Sequence, residues 1–122
     1  MTAQAKLLVV QPDGTAEVST MNTDLATLKG IVGGFLEGLY AGDETFLLFN
    51  EEGKLKSLEP NHAADLVAAD LVARNLGMKI APWDVLAGPV IFCSVDEEGE
   101  TRDVPGIALY AAAQLGLNLI EK

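Results

Sequence analysis

The chain has 122 residues, of which 49% are hydrophobic, and its 18 acidic and 8 basic residues give a formal net charge of −10. This length and this apolar content predict a single globular domain over residues 1–122, and they exclude an intrinsically disordered chain. The negative charge argues against direct binding to nucleic acid or to an anionic membrane surface, because lysine and arginine supply most of the affinity for phosphate groups.

The N-terminal region is predicted to form a β-hairpin. Residues 6–10 are continuously apolar, and this run ends at the turn residues Pro12, Asp13 and Gly14. Residues 16–21 follow as the partner strand. Because the first apolar run is too short for a signal peptide or a membrane span, we expect a cytoplasmic protein.

A helix is predicted over residues 24–40. Asp24 provides a capping oxygen at its start, and large apolar side chains recur after it at helical spacing. Glycines stand at positions 30, 33 and 34, although each costs about 1 kcal/mol relative to alanine in a helix interior. We expect these glycines to allow close packing on a sheet, with contact to a ligand or a break in the helix as the alternatives.

The middle of the chain is predicted to form a strand, a turn and a second helix. Residues 45–49 are apolar throughout, as in a central strand, and the acidic turn at residues 51–53 leads to a short return strand over residues 54–56. Asn61 is a favourable N-cap for an alanine-rich helix over residues 63–76.

The C-terminal part repeats this order of elements. Residues 90–95 form an apolar strand, and an acidic turn at residues 96–100 leads to a polar return strand over residues 101–104. Asp103 is predicted to cap a last helix over residues 107–117.

Together these elements predict an α+β fold. We expect an antiparallel or mixed sheet of about five to seven strands, with two or three helices packed mainly on one face. The order of the strands in the sheet does not follow from the sequence.

Three segments of the chain carry a family resemblance: LATLKGIVGGFLEGL (25–39), FNEEGKLKSLEPNHAA (49–64) and DVLAGPVIFC (84–93). In this order they resemble domain-of-unknown-function family 3846, which is frequent in bacteriophages and actinobacteria. The resemblance covers about residues 6–95, and the final helix looks particular to this chain. It implies a small phage accessory protein and brings no reaction or cofactor with it.

Neither a catalytic residue nor a metal site is predicted. The single cysteine, Cys93, and the single histidine, His62, cannot supply the three or four ligands of a zinc site. Nucleotide-binding glycine motifs and nucleophile motifs are missing from the sequence. We therefore expect no metal and no cofactor. A non-enzymatic protein is favoured, and an enzyme stays open as an alternative.

Polar residues around the acidic turn at residues 51–53, together with Trp83 and Asp84, are the candidates for a binding surface. Turn formation, solvation and helix capping explain most of them, and a polar binding surface is the functional alternative. The candidate binding residues are Asn50, Glu51, Lys54, Lys56, Asn61, Trp83 and Asp84.

The leading hypothesis is a non-enzymatic protein-interaction module, a phage-type accessory protein that binds and modulates a host protein in the host cytoplasm. One alternative is a small-ligand-binding domain or enzyme that uses the segment from Asn50 to Asn61 together with Asp84. The other is an acidic nucleic-acid mimic, which requires the carboxylates of residues 43–52 and 96–103 to share one face. A homodimer is compatible with each hypothesis, because the apolar helices offer surface for self-association.

Overall fold

The computed structural model describes residues 3–42, 44–52, 57–76 and 86–122. Within these ranges the elements are β1 (Gln4–Val10), β2 (Ala16–Asn22), α1 (Leu25–Val32), β3 (Leu36–Gly42), β4 (Thr45–Asn50), α2 (His62–Leu76), β5 (Val90–Val95), β6 (Thr101–Arg102), α3 (Gly106–Gln114) and β7 (Leu119–Glu121).

The strands form one mixed sheet in the order β3-β4-β5-β1-β2-β7. Every pair along this order is antiparallel except β2 and β7, which run parallel. β5 lies in the middle and pairs with β1 through Phe92 and Leu8, whereas its last residues pair with β6 through Ser94 and Arg102. The predicted α+β class and the predicted number of strands are therefore confirmed.

The two faces of the sheet carry separate apolar cores, because successive side chains of a strand point to opposite faces. α2 and α3 cover one face, where they pack on a core that contains Leu8, Leu47 and Phe92. α1 covers the other face, where Leu28 and Val32 join strand residues that include Ile91 and Cys93. Two of the three described helices thus share a face, as predicted.

The predicted helix over residues 24–40 is wrong beyond Val32. Gly33 adopts a left-handed conformation with φ 83°, and both its N–H and that of Gly34 donate to the Lys29 carbonyl. This arrangement ends a helix, and it needs glycine because a Cβ is unfavourable at positive φ. Residues 36–42 are consequently strand β3, so breaking the helix is the role of Gly33.

The final helix differs from its prediction at both ends. Its N-cap residue is Pro105, and the helix ends at Gln114 before the short strand β7, which the sequence pattern did not predict. Asp103 does not cap this helix, because its Oδ1 accepts the backbone N–H of Lys6 at 2.8 Å and so ties the β6 segment to β1. The return strand predicted over residues 54–56 lies outside the described residues.

Candidate functional site

Asn61 lies at a buried junction between the second helix and the sheet. Its side chain is fully buried, and its Oδ1 accepts the N–H of Ala64 at 3.0 Å, which is the predicted N-cap. Its Nδ2 donates to the carbonyls of Val10 and Gly88, both at 2.8 Å. These three hydrogen bonds use the amide to join α2 to the end of β1 and to the segment that precedes β5, so this side chain faces no solvent-filled site.

Asn50 has a similar structural position at the end of β4. It is buried, its Nδ2 donates to the Val32 carbonyl at 3.1 Å, and its Oδ1 accepts the Glu52 N–H at 2.8 Å. The amide thus ties the end of α1 to β4 and shapes the turn that follows. Glu51, the next residue, is exposed at this turn.

The other candidates from the sequence, Lys54, Lys56, Trp83 and Asp84, lie outside the described residues. The small-ligand hypothesis requires that Asn50, Lys54 and Asp84 converge on one pocket. This convergence therefore stays a prediction. A shallow cavity of about 400 Å³ is lined by Gln11, Pro12, Asp13, Leu58, Glu59, Gly88 and Pro89. Its walls are two turns and the chain that leads to Asn61.

A larger groove, of about 720 Å³, lies at the opposite end of β4. It is lined by Tyr40, Glu44, Ser94, Val95, Asp96, Glu97, Glu98 and Arg102. We call these eight residues the acidic groove. Tyr40, in the edge strand β3, is 59% exposed, and Val95, the last residue of β5, is 38% exposed.

The path of α1 explains why this corner of the sheet is open. The helix begins after Asn22, at the end of the sheet where β5 runs into the acidic turn, and it ends beside Asn50 at the other end. It therefore crosses its face diagonally, from β2 towards β4. Tyr40 and Val95 belong to this face by strand alternation, but they lie at the corner that the helix does not reach.

Asp96 organises the acidic turn that forms one wall of the groove. Its Oδ1 accepts the N–H groups of Glu98 and Glu100, both at 2.9 Å, and its Oδ2 accepts from Nη2 of Arg102 at 2.7 Å and from Nε at 2.8 Å. These contacts hold the pKa of the Asp96 carboxyl below its usual value. The hydrogen bond from the Glu100 N–H contributes most, and Arg102 and the Glu98 N–H add to it. The turn thus uses its one guanidinium on Asp96.

Three glutamates of the groove are left facing solvent. Glu44, Glu97 and Glu98 are exposed, and none has an ion-pair partner among the described residues. The backbone N–H of Glu44 points to the Tyr40 hydroxyl oxygen at 3.4 Å, which keeps the ring beside these carboxylates. The groove therefore combines an aromatic and aliphatic floor with a strongly negative rim.

The two acidic stretches of the sequence lie together only at Glu44, and the rest of the first stretch is remote from the second. β4 and β5 are antiparallel neighbours, with Phe46 opposite Cys93, so Glu44 lies beside the end of β5 whereas Glu51 lies at the far end of β4. The six residues between them span about 20 Å in a strand. The nucleic-acid mimic required the carboxylates of residues 43–52 and 96–103 on one face, and this placement gives that hypothesis no support.

The sequence flagged the acidic turn at residues 96–100 but did not indicate the aromatic floor of the groove. Because Tyr40 lies within the predicted helix over residues 24–40, the sequence does not predict which residues surround it in the sheet. The available signal was the pair Gly33-Gly34, which ends the helix and starts an alternating stretch, LEGLY, typical of a strand.

The described residues contain neither a cluster of metal-binding side chains nor a membrane-spanning helix. No group of three or more histidine, cysteine, aspartate or glutamate side chains is arranged to hold a metal ion there. In the same part of the chain, no helix is long and apolar enough to cross a membrane.

The fold and the groove define an α+β protein that is built on one mixed sheet and has an open, acidic and partly aromatic surface at one corner. The family model of a domain of unknown function, DUF3846, matches residues 5–114, so the chain belongs to this family. The match extends through α3, which corrects the expectation that the final helix is particular to this chain. No match was found among the curated proteins or the solved structures.

Proposed function

We propose that the protein is a non-enzymatic protein-interaction module and that the acidic groove is its binding surface. The observation that carries this proposal is the exposure of Tyr40 and Val95 at the uncovered corner of the sheet, inside a rim of carboxylates. Protein interfaces have this composition, with an apolar and aromatic centre and a polar rim.

The opposite corner of the same face supports this interpretation. The diagonal course of α1 also leaves the first half of β2 uncovered, but there the residues on this face are Glu17 and Ser19, which are polar. A surface that only needs to be soluble carries such residues. Apolar side chains at one uncovered corner and polar ones at the other therefore favour a binding role for the groove.

The chemistry of the rim defines the partner. With Arg102 held by Asp96, the exposed carboxylates of Glu44, Glu97 and Glu98 give the groove a negative potential that attracts Lys and Arg side chains. The Tyr40 ring adds a face on which a cation can stack. The partner surface is therefore basic.

The setting of this interaction comes from the family resemblance. A phage-type accessory role, a host protein as the partner and a cytoplasmic location are predictions that the groove does not address. These predictions determine the choice of cell lysate for the experiment.

The experiment compares three immobilised proteins in lysate from a plausible host. They are the natural chain, the double variant Tyr40→Thr/Val95→Thr, which places threonine, a residue that favours strands, at both positions, and the control Leu66→Gln on α2. Leu66 is 56% exposed and lies away from the groove, so the control removes a comparable apolar side chain elsewhere. Proteins captured by the natural chain and by the control, but lost with the double variant, are then purified and titrated.

We expect at least one basic partner whose dissociation constant rises about tenfold or more in the double variant, as for residues at the centre of an interface. Its affinity should also fall as salt is raised, because the rim acts through charge. If every captured protein binds the double variant as well as the natural chain, the groove is not the binding surface and the proposal fails.

A further inference from the structure

The edge of the sheet beside the groove is open. β3 is the first strand in the sheet order, and among the described residues no strand pairs with its outer side. It is seven residues long, and its sequence LEGLYAG contains one charged residue, Glu37, and no lysine or proline. Exposed edges of this length are usually protected by such residues, because their free N–H and C=O groups attract other strands.

The opposite edge shows the usual protection. β7 has only three residues, and around it Lys6 pairs with Glu121 at 3.2 Å and Lys122 pairs with Glu17 at 3.6 Å. A short strand surrounded by charges does not invite a further strand. The two edges of this sheet therefore differ in their capacity to accept one.

The hydrogen-bond pattern shows which groups of β3 point outwards. Glu51 donates its N–H to the Phe35 carbonyl at 2.9 Å, so odd-numbered residues of this segment bond to β4. By alternation, the N–H and C=O groups of Leu36 and Gly38 point away from β4. Among the described residues these four backbone groups have no strand partner, so they could pair with a new strand.

The surface next to these groups is apolar on the face that also carries the groove. The Phe46 ring lies over Gly38, where a Cβ would overlap it, and therefore reaches the edge of the sheet. Tyr40 follows two residues later on the same face and lines the groove itself. A strand added along β3 would place alternate side chains first against Phe46 and then at the carboxylates of Glu44 and Glu98.

We propose that the partner contributes an extended cationic segment that binds as an additional strand along β3, with Lys or Arg side chains in the acidic groove. This proposal rests on the proposed function and specifies how the same surface is used. Strand addition supplies main-chain hydrogen bonds, and the alternate side chains supply specificity. A second copy of this chain is the less suitable occupant, because two molecules that each carry a net charge of −10 repel each other.

The probe is a short synthetic peptide in which lysine alternates with valine. Two derivatives are N-methylated, one at every lysine amide and the other at every valine amide. In an extended chain these two sets of N–H groups point to opposite sides. Only one set can face β3, and the two derivatives carry the same number of methyl groups, so each is the matched control of the other. Binding to the ¹⁵N-labelled full chain is followed by NMR and by amide hydrogen exchange.

We expect one derivative to bind like the unmodified peptide and the other to bind about tenfold more weakly, because it loses several interstrand hydrogen bonds. Exchange of the Leu36 and Gly38 amides should slow about tenfold or more on binding. The amides of Glu37 and Leu39, which face β4, should change less. The variant Tyr40→Thr/Val95→Thr should bind the unmodified peptide about tenfold more weakly than the natural chain does.

Three outcomes would overturn the inference. If both derivatives bind like the unmodified peptide while the groove variant still weakens binding, strand addition is wrong although the groove remains the binding surface. If no lysine–valine peptide binds, the occupant is not an extended cationic segment, whatever the capture experiment shows. If the Leu36 and Gly38 amides are already protected in the free protein and sedimentation shows a dimer, the edge is occupied by a second copy.

Discussion

Asn61→Asp is the substitution that most sharply tests how the second helix is attached to the sheet. The change keeps Oδ1, so the N-cap hydrogen bond to Ala64 survives, and aspartate caps helices as well as asparagine does. It replaces the two donor hydrogens on Nδ2 by an oxygen that faces the carbonyls of Val10 and Gly88. The substitution thus separates the two functions of this amide.

The magnitude follows from the two lost hydrogen bonds. Each buried carbonyl left without its donor costs about 1–3 kcal/mol, and a buried carboxylate beside them adds to this cost. We expect the free energy of unfolding at neutral pH to fall by about 3–5 kcal/mol. At about 4 °C per kcal/mol for a domain of this size, Tm falls by about 10–20 °C.

The loss should depend on pH in a defined direction. Burial raises the pKa of the introduced carboxyl in the folded state above its unfolded value of about 3.9. The folded state then binds the proton more tightly than the unfolded state does. The loss in free energy of unfolding is therefore complete above the raised pKa, and it becomes smaller as pH falls towards the pKa of the unfolded state. The protonated carboxyl also regains one donor hydrogen.

Denaturant unfolding from pH 7 to pH 4 measures the deficit against the natural chain. The control Asn22→Asp makes the same change at an exposed site where Oδ1 only accepts from Gln4 Nε2, and it should stay within about 0.5 kcal/mol. Asn61→Ser keeps a capping oxygen without adding charge, so it should be destabilised without the pH dependence. If Asn61→Asp has the same free energy of unfolding as the natural chain at neutral pH, the hydrogen bonds to the Val10 and Gly88 carbonyls do not stabilise this junction.

Two further predictions concern a pair of glycines and the buried thiol. Gly33→Ala should destabilise the protein by about 1 kcal/mol, because φ is 83° there, whereas Gly30→Ala, in the helix interior with open space around it, should stabilise by about 0.5–1 kcal/mol. Thermal unfolding measures both changes in stability. If the two variants change stability in the same direction, the helix does not end at Gly33. Burial raises the pKa of the Cys93 thiol to about 12, so a thiol reagent at pH 8 should label the native chain only as fast as it opens, while the unfolded chain reacts at once. Rapid labelling of the native chain would show that this strand is not buried.

The sequence was sufficient for the elements whose signals are local. The cap at Asn61 and the strands around Phe46 and Phe92 follow from residue type and periodicity, and so does the α+β class. The helix over residues 24–40 failed because Leu28, Val32, Phe35, Leu36 and Leu39 satisfy helical spacing on either side of the break. The chemistry of Gly33, which determines φ, outweighed that apolar pattern.

The groove could not be predicted because it depends on the order and direction of the strands. Glu44 and Glu97 are more than fifty residues apart and become neighbours only because β4 and β5 pair in antiparallel orientation. Asp103 shows the same limit on a smaller scale. Next to a helix start it has the chemistry of a cap, yet its carboxylate accepts the Lys6 N–H of a strand nearly a hundred residues away.

The helix end at Gly33 connects the fold to the proposed function. An eight-residue helix is about 12 Å long, whereas a seven-residue strand spans about 23 Å, so α1 covers only part of its face of the sheet. The chain released after Gly33 then becomes the edge strand β3. The conformation of Gly33 thus decides that residues 36–42 form a strand with a free edge and not a further part of the helix. A longer first helix would have taken up the residues of β3, and the edge along which a partner strand is proposed to bind would not exist.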